Sequence, residues 1–200
     1  MKKRKLQMKN LIVGLVLAAA ATASQAQMRE PLGMVIDVQG KGTINDSGKS
    51  APLEMLSYLR PNSEVQLSPG ASLTVTWYAG SKELKYSGPA RLKVESGGIK
   101  VVQGGAAQER AVTDEKVAAT KKQPARLGQA AVNMRSLKPM TPEQETAREK
   151  IRPADNAPFG DWVMYAMGLE QLGLTGEAKG VWRKLSAQRP DDPKLRQLAE

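Results

Sequence analysis

The chain has 200 residues, with thirty Lys and Arg against twenty Asp and Glu, no His and no Cys. Without His, neither Ser-His-Asp nor Cys-His catalysis nor a His-ligated metal can be built; without Cys, thiol chemistry, Cys-ligated zinc and disulfides go too. Hydrolysis by paired carboxylates survives that filter, but the acids fall mostly in charged helical or connecting stretches, so the expectation is a protein with no catalytic centre, cofactor or metal.

Residues 1–26 read as a secretory signal peptide. "MKKRKLQMKN" is a basic start, "LIVGLVLAAAA" from Leu11 to Ala21 is an apolar core too short to span a bilayer comfortably, and Ser24 and Ala26 are small residues placed for cleavage. No Cys follows to carry a lipid. The mature chain is therefore expected to start at Gln27, in the bacterial periplasm, with no stable membrane span; the alternative is an inner-membrane anchor formed by an uncleaved leader. The leader holds five of the thirty basic residues (Lys2, Lys3, Arg4, Lys5, Lys9) and no acid, leaving 25 bases, 20 acids and a net charge of +5. One Phe, three Trp and four Tyr make no basic strip for stacking bases, so nucleic acid is not an expected partner.

Residues 27–106 are written in period two, the signature of strands with one buried face. Met34, Ile36 and Val38 alternate in "MVIDV", Val65 and Leu67 in "EVQL", and Leu73, Val75 and Trp77 in "SLTVTWY". Leu84 with Tyr86, Leu92 with Val94, and Ile99 with Val101 continue the rhythm. Turn residues at Ser68, Ala79, Ser87 and Ser96 punctuate it, predicting a small antiparallel all-β domain, a sandwich or roll with one modest core. Trp77 falls on the core side and Tyr78 on the opposite face, where Tyr78 is a candidate for partner contact. Gly88-Pro89 reads as a strand entrance, since Pro cannot donate to a ladder.

The segment resembles the periplasmic FecR-type β domain. Gly70, Leu73 and Val75 match one of its strands and Gly88, Pro89, Ala90 and Val94 its Gly-Pro step, while Pro61 and Asn62 stand where a Gly would be expected. The resemblance implies the fold and little about activity. A FecR-type signalling regulator needs a cytoplasmic segment before its span, and only about ten residues precede the apolar run here.

Residues 107–140 are rich in Ala, Gln, Lys and Arg and read as a linker of low order, partly helical around "DEKVAATKK". In "TPEQETAREKIR" Thr141 is placed to cap a helix, with Pro142 at its first position and Gln144 completing a capping box. Residues 141–200 then form a helical module. One helix carries Trp162, Tyr165, Ala166 and Leu169 at the spacing of a buried stripe, with Asp161 as expected N-cap; after "LGLTG" a second carries Ala178, Val181, Trp182 and Leu185. "DDPKLRQLAE" begins a third, placing Leu195 and Leu198 against the pair.

Counted from Phe159, the residues Trp162, Tyr165, Ala166, Leu169, Ala178, Trp182, Leu185 and Pro190 fall on the signature positions of a tetratricopeptide repeat of about 34 residues, which this stretch resembles. The resemblance implies a partner-peptide groove on the inward side of the first helix, here Val163, Met167 and Glu170. The competing reading is that these residues pack on the helix at 142–151. A lone repeat leaves faces that a partner, a second copy of the chain or the β domain must cover. The fold expected is thus α+β in several domains, and the function a non-catalytic envelope adaptor binding a protein or peptide, with self-association through the helical module a further option. The alternative is a module that grips envelope glycan or an anionic surface.

Overall fold

The computed structural model describes residues 30–122 and 140–200. The expected signal peptide and residues 123–139 of the expected linker lie outside the described residues.

Ten strands come first: β1 (Gly33–Gln39), β2 (Gly42–Asp46), β3 (Lys49–Pro52), β4 (Tyr58–Leu59), β5 (Glu64–Leu67), β6 (Ser72–Trp77), β7 (Lys82–Ser87), β8 (Ala90–Glu95), β9 (Gly98–Gln103) and β10 (Gln108–Ala111). They form two antiparallel five-stranded sheets, in the order β10-β7-β6-β1-β4 and β3-β2-β5-β8-β9. Side chains alternate across a strand, so period two sends Val65, Leu67, Leu73, Val75, Trp77, Leu84, Tyr86, Leu92 and Val94 into one apolar core between the sheets.

β1 departs from the simple alternation. Its pairing with β6 slips between Val35 and Asp37, so Ile36 is an extra residue in the ladder. A bulge of this kind shifts the face of everything beyond it. Met34 and Ile36 therefore point away from the sandwich, Val35 points into it, and Val38 packs on the sandwich side despite sharing their sequence parity.

Among the described residues five helices follow: α1 (Asp114–Thr120), α2 (Pro142–Ile151), α3 (Phe159–Gln171), α4 (Thr175–Gln188) and α5 (Pro193–Ala199). The capping box at Thr141 and Gln144 forms as the sequence predicts, with both reciprocal hydrogen bonds present. Gly173, at φ +78°, turns the chain between α3 and α4. Asp192, with Pro193 at the first helical position, caps α5, which buries Leu195 and Leu198 completely. Asp161 does not cap α3. The N-cap is Pro158, without a side-chain hydrogen bond, and Asp161 lies inside the first turn.

The helices cover the outer face of the first sheet. A second apolar core joins Met34, Ile36, Met55 and Leu56 to Met164, Ala166, Leu169, Trp182, Leu185, Leu195 and Leu198. The approach of α3 requires Gly160, where an added Cβ would stand 2.7 Å from Ile36 Cδ1. At β1 and β6 the first sheet is thus buried on both sides: Thr76, on the face opposite Trp77, is fully buried and donates to Met164 Sδ at 3.5 Å.

Residues 107–122, expected as the start of a low-order linker, are ordered. β10 extends the first sheet beside β7, and α1, capped by Thr113, buries Val117, Ala119 and Thr120. The four residues of β10 are all exposed, so its ladder and not an apolar face fixes it. That explains why a reading of hydrophobic pattern passes over it.

Candidate partner-binding surfaces

The structure gives all four candidate contact residues internal work. Val163 and Met167 are buried, at 0% and 1% exposure, in the apolar core that α3 shares with β1. The half-buried Glu170 accepts a 2.9 Å hydrogen bond at Oε1 from Trp182 Nε1, joining α3 to α4. Tyr78 is also half-buried, and its hydroxyl donates to the carbonyl oxygen of Thr120 at 2.9 Å. Burial drives its phenol well above the ordinary tyrosine value. Val163 and Met167 therefore line no open groove, which corrects the placement that the repeat spacing implies. The reason is that α3 is apolar on nearly every side, and a helix of that kind is enclosed.

An open cleft lies one face further round α3. It has a volume of about 720 Å³ between α1, α2 and α3. Ala118, Ala119, Ala147, Ile151, Gly168 and Leu172 give it an apolar lining, and Glu115, Glu143, Thr146, Lys150 and Gln171 edge it. Its shape follows from small residues. A Cβ on Gly168 would lie 2.4 Å from Ile151 Cδ1 and 3.5 Å from Ala119 Cβ, so three helices converge on that glycine. Two side chains hold the ends: Gln171 Nε2 donates to the Ala119 carbonyl at 2.5 Å, and Gln144 Nε2 donates to the Leu172 carbonyl at 2.8 Å.

α2 is the weakly seated wall. Ile151 is its one buried residue, and its outer face carries Glu145 and Glu149. A helix this polar is held by its caps and end contacts more than by an apolar face. The sequence predicts α2 but not the cleft, because one of its walls is α1, which the sequence reads only as a partly helical stretch of a linker.

Above the cleft, Asp161 anchors the start of α3. It is 3% exposed, accepts a 2.9 Å hydrogen bond from Lys116 Nζ and is paired with Arg110, which also meets Glu83 at 2.6 Å. Burial alone would raise the Asp161 pKa, but the hydrogen bonds from Arg110 and Lys116 outweigh it and hold the carboxyl below the usual carboxylate range. Residues from β7, β10, α1 and α3 thereby meet at one charge cluster. At the same start of α3 Arg189 pairs with Asp37, and its guanidinium sits 3.6 Å from the Phe159 ring centroid.

Among the described residues no group of three or more acids is placed to hold a metal ion, and no helix is long and apolar enough to cross a membrane. Comparison with protein-family models, with curated proteins and with solved structures finds no match to this chain.

Proposed function

We propose that the chain is a non-catalytic adaptor of the periplasm, built from a FecR-like sandwich and a tetratricopeptide-like pair, α3 and α4. Its protein partner engages the cleft between α1, α2 and α3. The repeat-like reading draws support from Ala166 and Ala178, both buried where the two helices approach, with Leu169, Trp182 and Leu185 packed beside them. In this reading β1 of the sandwich occupies the side of α3 that a repeat array offers to peptides, and the partner site moves to the neighbouring face.

The observation that carries the proposal is the cleft itself. Its volume, about 720 Å³, lies within the range of sites that enclose a ligand or a few anchor side chains, and its lining is mainly apolar with polar groups at the edge. Such a surface favours anchoring by apolar side chains of a partner segment.

A photo-crosslinking side chain at Thr146, on the cleft edge, tests this against one at Arg183, on the exposed side of α4. In envelope extract the Thr146 probe is expected to give a defined protein adduct and the Arg183 probe none. Ala147→Arg, which fills the cleft, should abolish that adduct while the melting temperature holds. Equal labelling from both positions, or an adduct indifferent to Ala147→Arg, would overturn the assignment.

A further inference from the structure

β9 closes the second sheet on one side and pairs with β8 alone. No other hydrogen bond to the main chain of Gly98–Gln103 is formed among the described residues. An unpaired row of N–H and C=O groups is a template for another strand. The remaining sheet edges are shorter: β4 has two residues, and β3, which ends in Pro52, and β10 have four each. β9 has six residues and one charge.

Two further observations define what β9 would accept. Val102, 54% exposed, is the one exposed large apolar side chain among the described residues. It stands where the β8–β9 pairing slips, between partners Arg91↔Gln103 and Leu92↔Val101. Bulges re-aim side chains in this way. Beside it the charge is basic: Lys93 and Lys100 are direct cross-strand partners, with Arg91 two residues along β8. Like charges directly opposite each other destabilise a sheet unless something compensates them. Glu64 flanks Lys93 from β5 and Glu95 lies at the hairpin end, but β9 itself carries no acid and Lys100 makes no ion pair among the described residues.

We infer that β9 is a docking edge for an extended acidic segment of a partner protein, which adds to the second sheet as a strand. An acid opposite Lys100 would compensate the Lys93–Lys100 pair, and an apolar neighbour would cover Val102. Main-chain bonds along the strand supply affinity and alternate side chains supply selectivity. A second copy of this chain fits less well, since pairing β9 with its own copy would bring two sets of Arg91, Lys93 and Lys100 to one joined sheet. The inference goes beyond the helical cleft and does not depend on it.

The test uses the full chain with a fluorescent synthetic octapeptide of alternating Glu and Val, and its Lys-Val counterpart as control. The acidic peptide is expected to bind and the basic one not to. Amide exchange should slow at 98–103 and stay unchanged along α2. Lys100→Glu should weaken the acidic peptide by about fivefold or more, the loss expected for an exposed charge pair reversed in sign. Should Lys100→Glu lower the melting temperature, Arg91→Glu takes its place. Absence of binding, equal binding of both peptides, or indifference to the charge reversal would overturn the proposal. So would protection of 98–103 that grows with protein concentration alone, the mark of self-pairing, or binding to phosphatidylglycerol vesicles without peptide binding, the mark of a membrane surface. Slowed exchange at 98–103 with no Thr146 adduct would leave this edge standing and the cleft refuted.

Discussion

The hydroxyl of Tyr78 donates a 2.9 Å hydrogen bond to the main-chain carbonyl of Thr120, 42 residues further along. Tyr58 does the same, at 3.4 Å, for the carbonyl of Lys121. A helix leaves its last carbonyls without intrahelical donors, and α1 has no basic residue in its last turn to serve them. Two phenols from the sandwich do so instead, which fixes α1 and with it one wall of the cleft.

Tyr78→Phe keeps the ring and removes that donor, so it should cost about 0.5–1.5 kcal/mol at neutral pH. The pH dependence has a definite sign. The folded-state pKa of Tyr78 is raised by burial, and burial also pushes Tyr86 up to about 12. The unfolded chain therefore loses these protons first, and stability falls as the pH rises above about 10. Urea unfolding at rising pH should show that fall, and Tyr78→Phe should make it shallower. An unchanged slope would mean that Tyr78 titrates alike in both states.

β6 separates two kinds of burial. Trp77, 4% exposed, faces the core between the sheets, and its truncation to Ala should cost about 3–5 kcal/mol. Thr76 faces α3 and is fully buried against Met164. Thr76→Ala should then cost about 1–2 kcal/mol, above the ~0.5 kcal/mol scatter of solvated surface positions. Chemical denaturation of the two variants decides between a covered and a solvated outer face. A Thr76→Ala cost within surface scatter would mean that α3 does not rest on β6 in solution.

Asp161 gives the acid limb. Its carboxyl is held below the ordinary range, so the charged form stabilises the fold at neutral pH, and that contribution is lost as the pH falls below about 4 and through the folded pKa. Asp161→Asn should cost about 2–4 kcal/mol at pH 7, toward the lower end because Arg110 is partly solvated. Denaturant melts at pH 7 and pH 3 should show a smaller gap between the variant and the parent at the lower value. A gap independent of pH would assign the loss to packing.

These residues also show what a sequence can disclose. Thr141, Pro142 and Gln144 specify their capping box within four positions, and the helix that carries Leu195 and Leu198 is equally local, so both are legible. The alternation of Leu73, Val75 and Trp77 was legible because a half-buried strand must write it. β10 was not, since its exposed residues take their place from the β7 ladder. The bulge at Ile36 left no mark in composition, yet it sends Val38 to a different core from Met34. In α3 the stripe singled out Trp162, which is half-buried, over Val163, Met164 and Met167, which are fully enclosed. The signal available there was the scarcity of polar residues: after Asp161 none occurs before Glu170. Sequence could not say which surfaces would enclose the helix, because Met34 and Ile36 lie more than a hundred positions away.

That enclosure can be broken from the sandwich side. Ile36 is fully buried between β1 and α3, with its terminal methyl against Gly160. Ile36→Asp places an unpaired charge there, which should cost about 3–5 kcal/mol at the junction. The core between the sheets does not use Ile36, so it should survive. The helices, by contrast, lose the surface that buries Met164 and its neighbours, and a single repeat-like unit cannot cover its own apolar faces. Tryptophans report on each layer separately: Trp77 belongs to the sandwich core and Trp182, 0% exposed, to the helical one. In variants retaining one tryptophan each, Ile36→Asp should shift Trp182 emission to the red and open it to iodide quenching, leaving Trp77 shielded and the strand circular dichroism intact. If both tryptophans become exposed together in one transition, the two cores form one cooperative unit, and the helical layer is no module that could have been read, or could act, apart from the sandwich.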